Sequence, residues 1–300
     1  MHYGFRIAVG ASLVVFFIIT TVISWQQYGR RQQAKPPITN PTWGSSPSQL
    51  DPAGLSYNLT KDRVAIACRE AAAGKSAIIV TLGQSLMGNS GDQRALYTLG
   101  SNVYNFNLLD RKCYVARDPL LGTTSRGANQ ATRLADLLVR HQIYDRVILV
   151  PLAYDGSRIS QWAPGGNLHP RMIAGLRYAQ DAGLEPTMIL WQQGESEAID
   201  PPQPANGLAW SAMFTSMAKS IRDNAINAPI YVAKSTVCRG APNAQIRSAQ
   251  DSVVNDRDIL AGPDTDVISV QERWDGCHLG QNALDEAAGL WFAVISSAKG

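Results

Sequence analysis

Across residues 61–300, short apolar runs alternate with longer stretches in which apolar positions recur every three or four residues. The runs at 77–82, 147–152, 187–191, 230–233 and 266–270 are rich in Ile, Val and Leu and are bounded by Gly, Pro, Asp or Ser, which predicts five strands. The intervening periodic stretches predict helices over 128–141, 170–182, 209–225, 241–255 and 283–297. Most of the strand candidates are continuously apolar rather than alternating, so they should be covered on both faces. The expected fold class is therefore α/β, a three-layer α/β/α sandwich around a five-stranded parallel sheet. Sheets of this kind place their sites in loops beyond the carboxyl ends of the strands.

The amino-terminal part follows a different pattern. Residues 1–6 are a short flank, and from Ile7 to Ser24 the chain is apolar or small without a charge, with Trp25 and Tyr28 following as interface aromatics. This predicts a transmembrane anchor over 7–25. A cleaved signal peptide competes with it, but bulky or charged residues rather than a small-x-small site follow the run. Residues 26–60 are rich in Pro, Ser and Gln and read as an extended tether to a folded domain over 61–300. Arg30, Arg31 and Lys35 outnumber Arg6 and the amino terminus across the run, a bias that alone places the domain in the cytosol.

Composition narrows the function classes. With 45% hydrophobic and 17% charged residues in 300 positions, the chain can bury a large core. Its net charge of +3 is small and its basic residues are scattered, so nothing points to a nucleic-acid partner. Neither a Cys-x-x-Cys pair nor a His-rich spacing suggests a metal, and no cofactor is expected.

The first strand candidate runs into Gly83-Gln84-Ser85-Leu86-Met87-Gly88, a tight turn that projects Ser85 from a strand end. On its own, Ser85 reads first as a cap of the following helix. A serine becomes a nucleophile when an imidazole takes its proton and a carboxylate fixes that imidazole. His2, His141 and His169 have no carboxylate at a telling spacing, whereas His278 lies three residues after Asp275 in the loop following the last strand candidate. Two further loops leave the same edge, one carrying Gly156 and the other Gln193, whose amides suit a developing oxyanion.

Taken in order, these segments resemble the SGNH hydrolases of the GDSL type, and within them the sialate O-acetylesterase and plant-type carbohydrate esterase group. The matching residues are Gly83-Gln84-Ser85 with Met87, Gly156 with Ile159 and Trp162, Trp191 with Gln193-Gly194-Glu195-Ser196, and Asp275 with His278. The resemblance implies a flavodoxin-like SGNH fold and a metal-free triad of Ser85, His278 and Asp275. It further implies an oxyanion hole from the amides of Ser85 and Gly156 and the side chain of Gln193, with Gln84 and Glu195 in support. Its implied substrate is an O-acylated, chiefly O-acetylated, carbohydrate. An O-acetyltransferase with the same triad, or a carbohydrate-binding protein without activity, would share these motifs. The group also favours an extracytoplasmic enzyme, where four cysteines could form two disulfides, over the cytosolic placement that charge suggests.

Three positions depart from the group's pattern. Leu86 stands where Asn is usual, with Asn89 as the nearby side chain able to replace its bonds, and Asp155 replaces a Gly. Arg158 occupies a position commonly held by a small residue, and it and Trp162 are candidate substrate contacts. Cys238 and Cys277 follow the fourth and fifth strand candidates, neighbours at the active edge, and are expected to form a disulfide bracing His278; two buried thiols are the alternative. Cys68 and Cys113 form the other candidate pair.

Overall fold

The computed structural model describes residues 59–298, apart from 98, 100–101 and 200–206. The predicted anchor over 7–25 and almost all of the tether over 26–60 lie outside the described residues. Among the described residues, no helix is long and apolar enough to cross a membrane.

Eight strands form one sheet: β1 (Ala65–Ile66), β2 (Ser76–Gly83), β3 (Val103–Asn107), β4 (Lys112–Val115), β5 (Arg146–Pro151), β6 (Met188–Gln192), β7 (Ile230–Lys234) and β8 (Ile259–Asp264). Their order across the sheet is β1-β4-β3-β5-β2-β6-β7-β8. From β3 to β8 the neighbours run parallel, while β4 is antiparallel to both β3 and β1. The sheet is thus mixed and larger than the five parallel strands expected.

Two misreadings have physical causes. The β3–β4 hairpin carries Asn105 and Asn107 among its apolar residues, which hid it. Asn105 is nonetheless buried, because its amide accepts from Leu121 N at 2.6 Å and donates to Leu121 O at 3.2 Å. The last strand was expected at 266–270 and lies instead at Ile259–Asp264, with 3-10 turns at Thr265–Val267 and Val270–Glu272. As an edge strand containing Gly262, Pro263 and Asp264, β8 reads like a turn. Gly262 is required there, since a Cβ would stand 2.7 Å from Ala233 N. Asp266 is held out of any strand by bonds from Thr236 N at 2.7 Å, Val237 N at 2.8 Å and Arg247 at 2.8 Å.

The helices are α1 (Cys68–Ala71), α2 (Gln130–Arg140), α3 (Ile159–Trp162), α4 (His169–Asp181), α5 (Glu195–Ile199), α6 (Gly207–Asp223), α7 (Ala244–Ser252) and α8 (Gln281–Ser297). The period-two alternation of β2 divides them into two layers. Ile78, Val80 and Leu82 pack with Met172 and Leu176 of α4 and with Phe214 and Ile221 of α6. Ala77 and Ile79 face the other way, against Leu134 and Leu138 of α2 and Trp291 of α8. Because both faces are covered, β2 is buried almost throughout, which explains its unbroken apolar run.

This topology positions the site. The chain passes from β5 to β6 across β2, so the loops leaving these three adjacent strands converge at one sheet edge.

Candidate active site

The turn after β2 is wedged into its neighbours. Gly83 has φ +116°, and a Cβ there would lie 2.0 Å from Gln192 O. Gln84 N donates to Gln192 O at 3.0 Å, and Tyr154 N donates to Gly83 O at 2.9 Å. The turn is therefore locked to the strand ends on both sides, and it delivers Ser85 as the first residue of a 3-10 turn, Ser85–Met87.

Ser85 lines a cavity of about 740 Å³ together with Gly156, Asp275 and His278. Asp275 holds His278 through the ring, with His278 Nδ1 2.8 Å from Oδ2. The other carboxylate oxygen accepts from His278 N at 2.7 Å and Cys277 N at 2.9 Å. Burial would raise the Asp275 carboxyl, but these bonds outweigh it and hold the group below its ordinary value. Two backbone donors complete the picture. Among the described residues, neither Ser85 N nor Gly156 N has an intramolecular acceptor, although Ser85 is 95% buried. Buried amides are nearly always paired, so the unpaired one of Ser85 marks a place where a ligand oxygen can be received, while Gly156 is exposed and its amide is open to the cavity and to solvent alike.

Gln193 does not join this group. It is fully buried, and its Nε2 donates to Gln84 Oε1 and Ser157 O, each at 3.2 Å, and to Glu197. Its Oε1 accepts from Trp210 Nε1 at 2.8 Å. With every polar atom engaged away from the cavity, Gln193 braces the site from beneath. Gln84 sits in the same network, its Oε1 also accepting from Ser196 N at 3.2 Å.

The residue that links these loops is Glu197, which sequence reasoning missed. Its Oε1 accepts from Ile159 N at 2.8 Å while its other oxygen takes the Gln193 amide, so it joins the loop after β5 to the loop after β6. Burial raises its carboxyl against those bonds. Its spacing of four from Gln193, across a helix start, was the only available signal. Glu195, the expected supporter, points elsewhere. It is fully buried, bonded to Ser235 and pushed up to about 7, chiefly by burial.

Trp162 is a correction. It is fully buried, packs edge-on against Trp191 and donates to Ser157 Oγ at 2.9 Å, so it belongs to the core rather than to a substrate surface. Arg158 forms the N-cap of α3 and is not among the residues lining the cavity. Leu86 is likewise core, packed with Ala128 and Leu284. Asn89 lines the cavity and clasps Leu120, donating to its O at 2.8 Å and accepting from its N at 3.0 Å. Asp155 also lines it, accepting from Ser90 at 3.0 Å and from Ser125.

The histidine loop is pinned from outside the sheet. Disulfides join Cys238 to Cys277 and Cys68 to Cys113. Arg239 N donates to Gly276 O at 2.8 Å, and buried Arg273 donates to Cys277 O at 2.8 Å and Thr265 O at 3.0 Å. Among the described residues, no cluster of His, Cys, Asp and Glu has the form of a metal site.

Comparison with known proteins gives the fold and the family. A probable carbohydrate esterase of Arabidopsis thaliana is 38% identical over 52 residues, a match spanning 17% of this chain and 20% of the relative. The solved structure of that plant protein superposes with a TM-score of 0.62 at 19% identity, over 75% of this chain and 99% of the other. NanS superposes with a TM-score of 0.50 at 12% identity, over 75% and 98% of the two chains. At these identities the structural likeness is one of fold. The profile of the family described as carbohydrate esterase, sialic acid-specific acetylesterase matches residues 75–292, and the chain belongs to that family.

Proposed function

We propose that this chain, from a family of carboxylic ester hydrolases, removes O-acetyl groups from a carbohydrate by a Ser-His-Asp mechanism. The observation that carries the reading is the shared cavity in which Ser85, the Asp275–His278 pair and the two unpaired amides of Ser85 and Gly156 meet.

In this mechanism, Ser85 Oγ attacks the acetyl carbonyl as His278 Nε2 takes its proton. Asp275, bonded to Nδ1, fixes the tautomer and stabilises the imidazolium. The carbonyl oxygen becomes an oxyanion received by the two amides, a pair of donors rather than three because Gln193 is engaged below. Collapse expels the sugar alkoxide, which takes the proton from His278 and leaves an acetyl-serine. Water, deprotonated by His278, then attacks that ester and releases acetate and free Ser85.

Ser85→Ala should abolish hydrolysis of p-nitrophenyl acetate and acetate release from O-acetylated glycans, with the thermal transition preserved. Substantial residual turnover by the folded variant would remove Ser85 from the role. Two disulfides are stable in oxidising compartments, which supports an extracytoplasmic domain, anchored by the run at 7–25. Membrane fractionation of the full chain, with and without residues 1–25, tests that placement.

A further inference from the structure

Trp274 is the large aromatic left at the surface beside the histidine. It is 54% exposed, its ring stacks toward His278 with centroids 6.0 Å apart, and its Nε1 donates to Ser90 O at 3.1 Å. An exposed indole held by a hydrogen bond and a ring contact is a prepared surface, not a loosely placed side chain. Trp274 also forms a wall of two cavities. The first is the acyl site of about 740 Å³; the second, of about 420 Å³, lies on the far side toward the start of α8. Asp92 and Arg94 are the other residues common to both, so the cavities adjoin along a shared ridge. Both volumes fall within the roughly 300–1,000 Å³ of small-molecule sites.

The chemistry of the outer cavity is specific. Its one cation, Arg94, is already paired with Asp92, Nη2 to Oδ2 at 2.6 Å and Nε to Oδ1 at 3.0 Å. The remaining polar groups include the exposed amides of Gln281 and of Gln271, the latter with its Oε1 accepting from Ser269 and its Nε2 left to donate, and the exposed carboxylate of Glu272. Planar amides and carboxylates suit vicinal hydroxyls, an indole suits the C–H face of a pyranose, and a cavity with a spare negative charge disfavours an acidic sugar.

We propose that this outer cavity is a second sugar subsite, binding a neutral residue of the same chain whose acetylated unit occupies the Ser85 cavity, with Trp274 as the platform between them. The proposal rests on the carbohydrate-esterase reading above. It makes the enzyme selective for chain length, since an isolated acetylated sugar leaves Gln271, Glu272 and Gln281 unused.

The test compares kcat/KM for an O-acetylated xylo-oligosaccharide, an O-acetylated methyl xyloside and an O-acetylated oligogalacturonide. The expected result is a preference of about tenfold or more for the neutral oligomer over the methyl glycoside, carried mainly in KM. That preference should fall toward unity in Gln281→Ala and in Gln271→Ala, neither of which lines the Ser85 cavity. Equal efficiency on oligomer and monomer, an unaltered preference in the variants, or preference for the acidic oligomer would overturn the subsite while leaving the esterase intact. If p-nitrophenyl acetate is hydrolysed but no carbohydrate is, the carbohydrate reading itself fails, and the subsite with it.

Discussion

The two halves of the site are built by different means. The nucleophile half grows from the centre of the sheet: β2 is buried on both faces, Gly83 is wedged against Gln192, and beneath Ser85 lies a closed network of Gln84, Gln193, Glu197 and Trp210. The histidine half hangs beyond the sheet edge, after two 3-10 turns, and is secured by a disulfide, by Arg273 and by Asp275 itself. Burial can fix one half because polar groups without water must find partners, and so each loop dictates its neighbour. The other half has Arg273, Cys277 and Leu279 buried but its histidine and aspartate partly open, and it is held by one disulfide and a few hydrogen bonds.

The contrast can be broken most severely through Asp275. In Asp275→Asn the tautomer-fixing acceptor is lost, and kcat should fall by about ten-thousandfold with the domain still folded, measured by initial rates beside circular dichroism. Gly83→Ala attacks the opposite half, where φ +116° and a carbonyl 2.0 Å from the new Cβ leave no relaxed solution. A loss above about 4 kcal/mol, seen as insoluble or unfolded protein, is expected. The paired change Cys238→Ser/Cys277→Ser should destabilise by about 3 kcal/mol and also depress kcat, because the bond closes 39 residues and ends on the His278 loop. The matched change Cys68→Ser/Cys113→Ser should lower the thermal transition with kcat unchanged, since that bond ties α1 to β4, remote from the active edge. Equal kinetic effects from the two pairs would erase the distinction.

The remaining expected effect is one of pH and leaves the chemistry of the cavity untouched. Burial lifts Glu195 from 4.5 to about 7, so between those values the folded state holds a proton that the unfolded state has released. Stability should therefore fall as pH rises through that window, by about 3 kcal/mol at most. Glu195→Gln should flatten the slope in urea titrations across pH 4.5 to 7. An unchanged slope would mean that Glu195 titrates normally.

The same contrast explains what the sequence made legible. Asp275 and His278 could be read because their pairing is local, three residues along one loop. Ser85, in a Gly-containing turn that alone reads as a helix cap, drew attention only beside His278, Asp275, Gly156 and Gln193 on the same edge. Gln193 was expected at the cavity and is bonded inward, a choice made by Glu197 and Trp210, on helices that linear spacing does not orient. Trp162 was misassigned for the same reason: its hydrogen bond to Ser157 lets a polar-tipped aromatic disappear into the core. Sheet size was underestimated because β1 and β4 are only 2 and 4 residues long and β3 carries Asn that is tolerated by burial with partners, while β8 was misplaced because its Gly and Pro suit an edge position.

One feature of the histidine half has an optical consequence. Of the tryptophans in the described residues, Trp162, Trp191, Trp210 and Trp291 are fully buried, and Trp274 alone is half exposed. Its emission is accordingly the red-edge, quencher-accessible component of the domain's fluorescence, and Trp274→Phe subtracts it cleanly. A saccharide resting on the indole would shield it from acrylamide and shift that component to the blue, so the chain carries its own reporter of occupancy, readable without a chromogenic ester or a label.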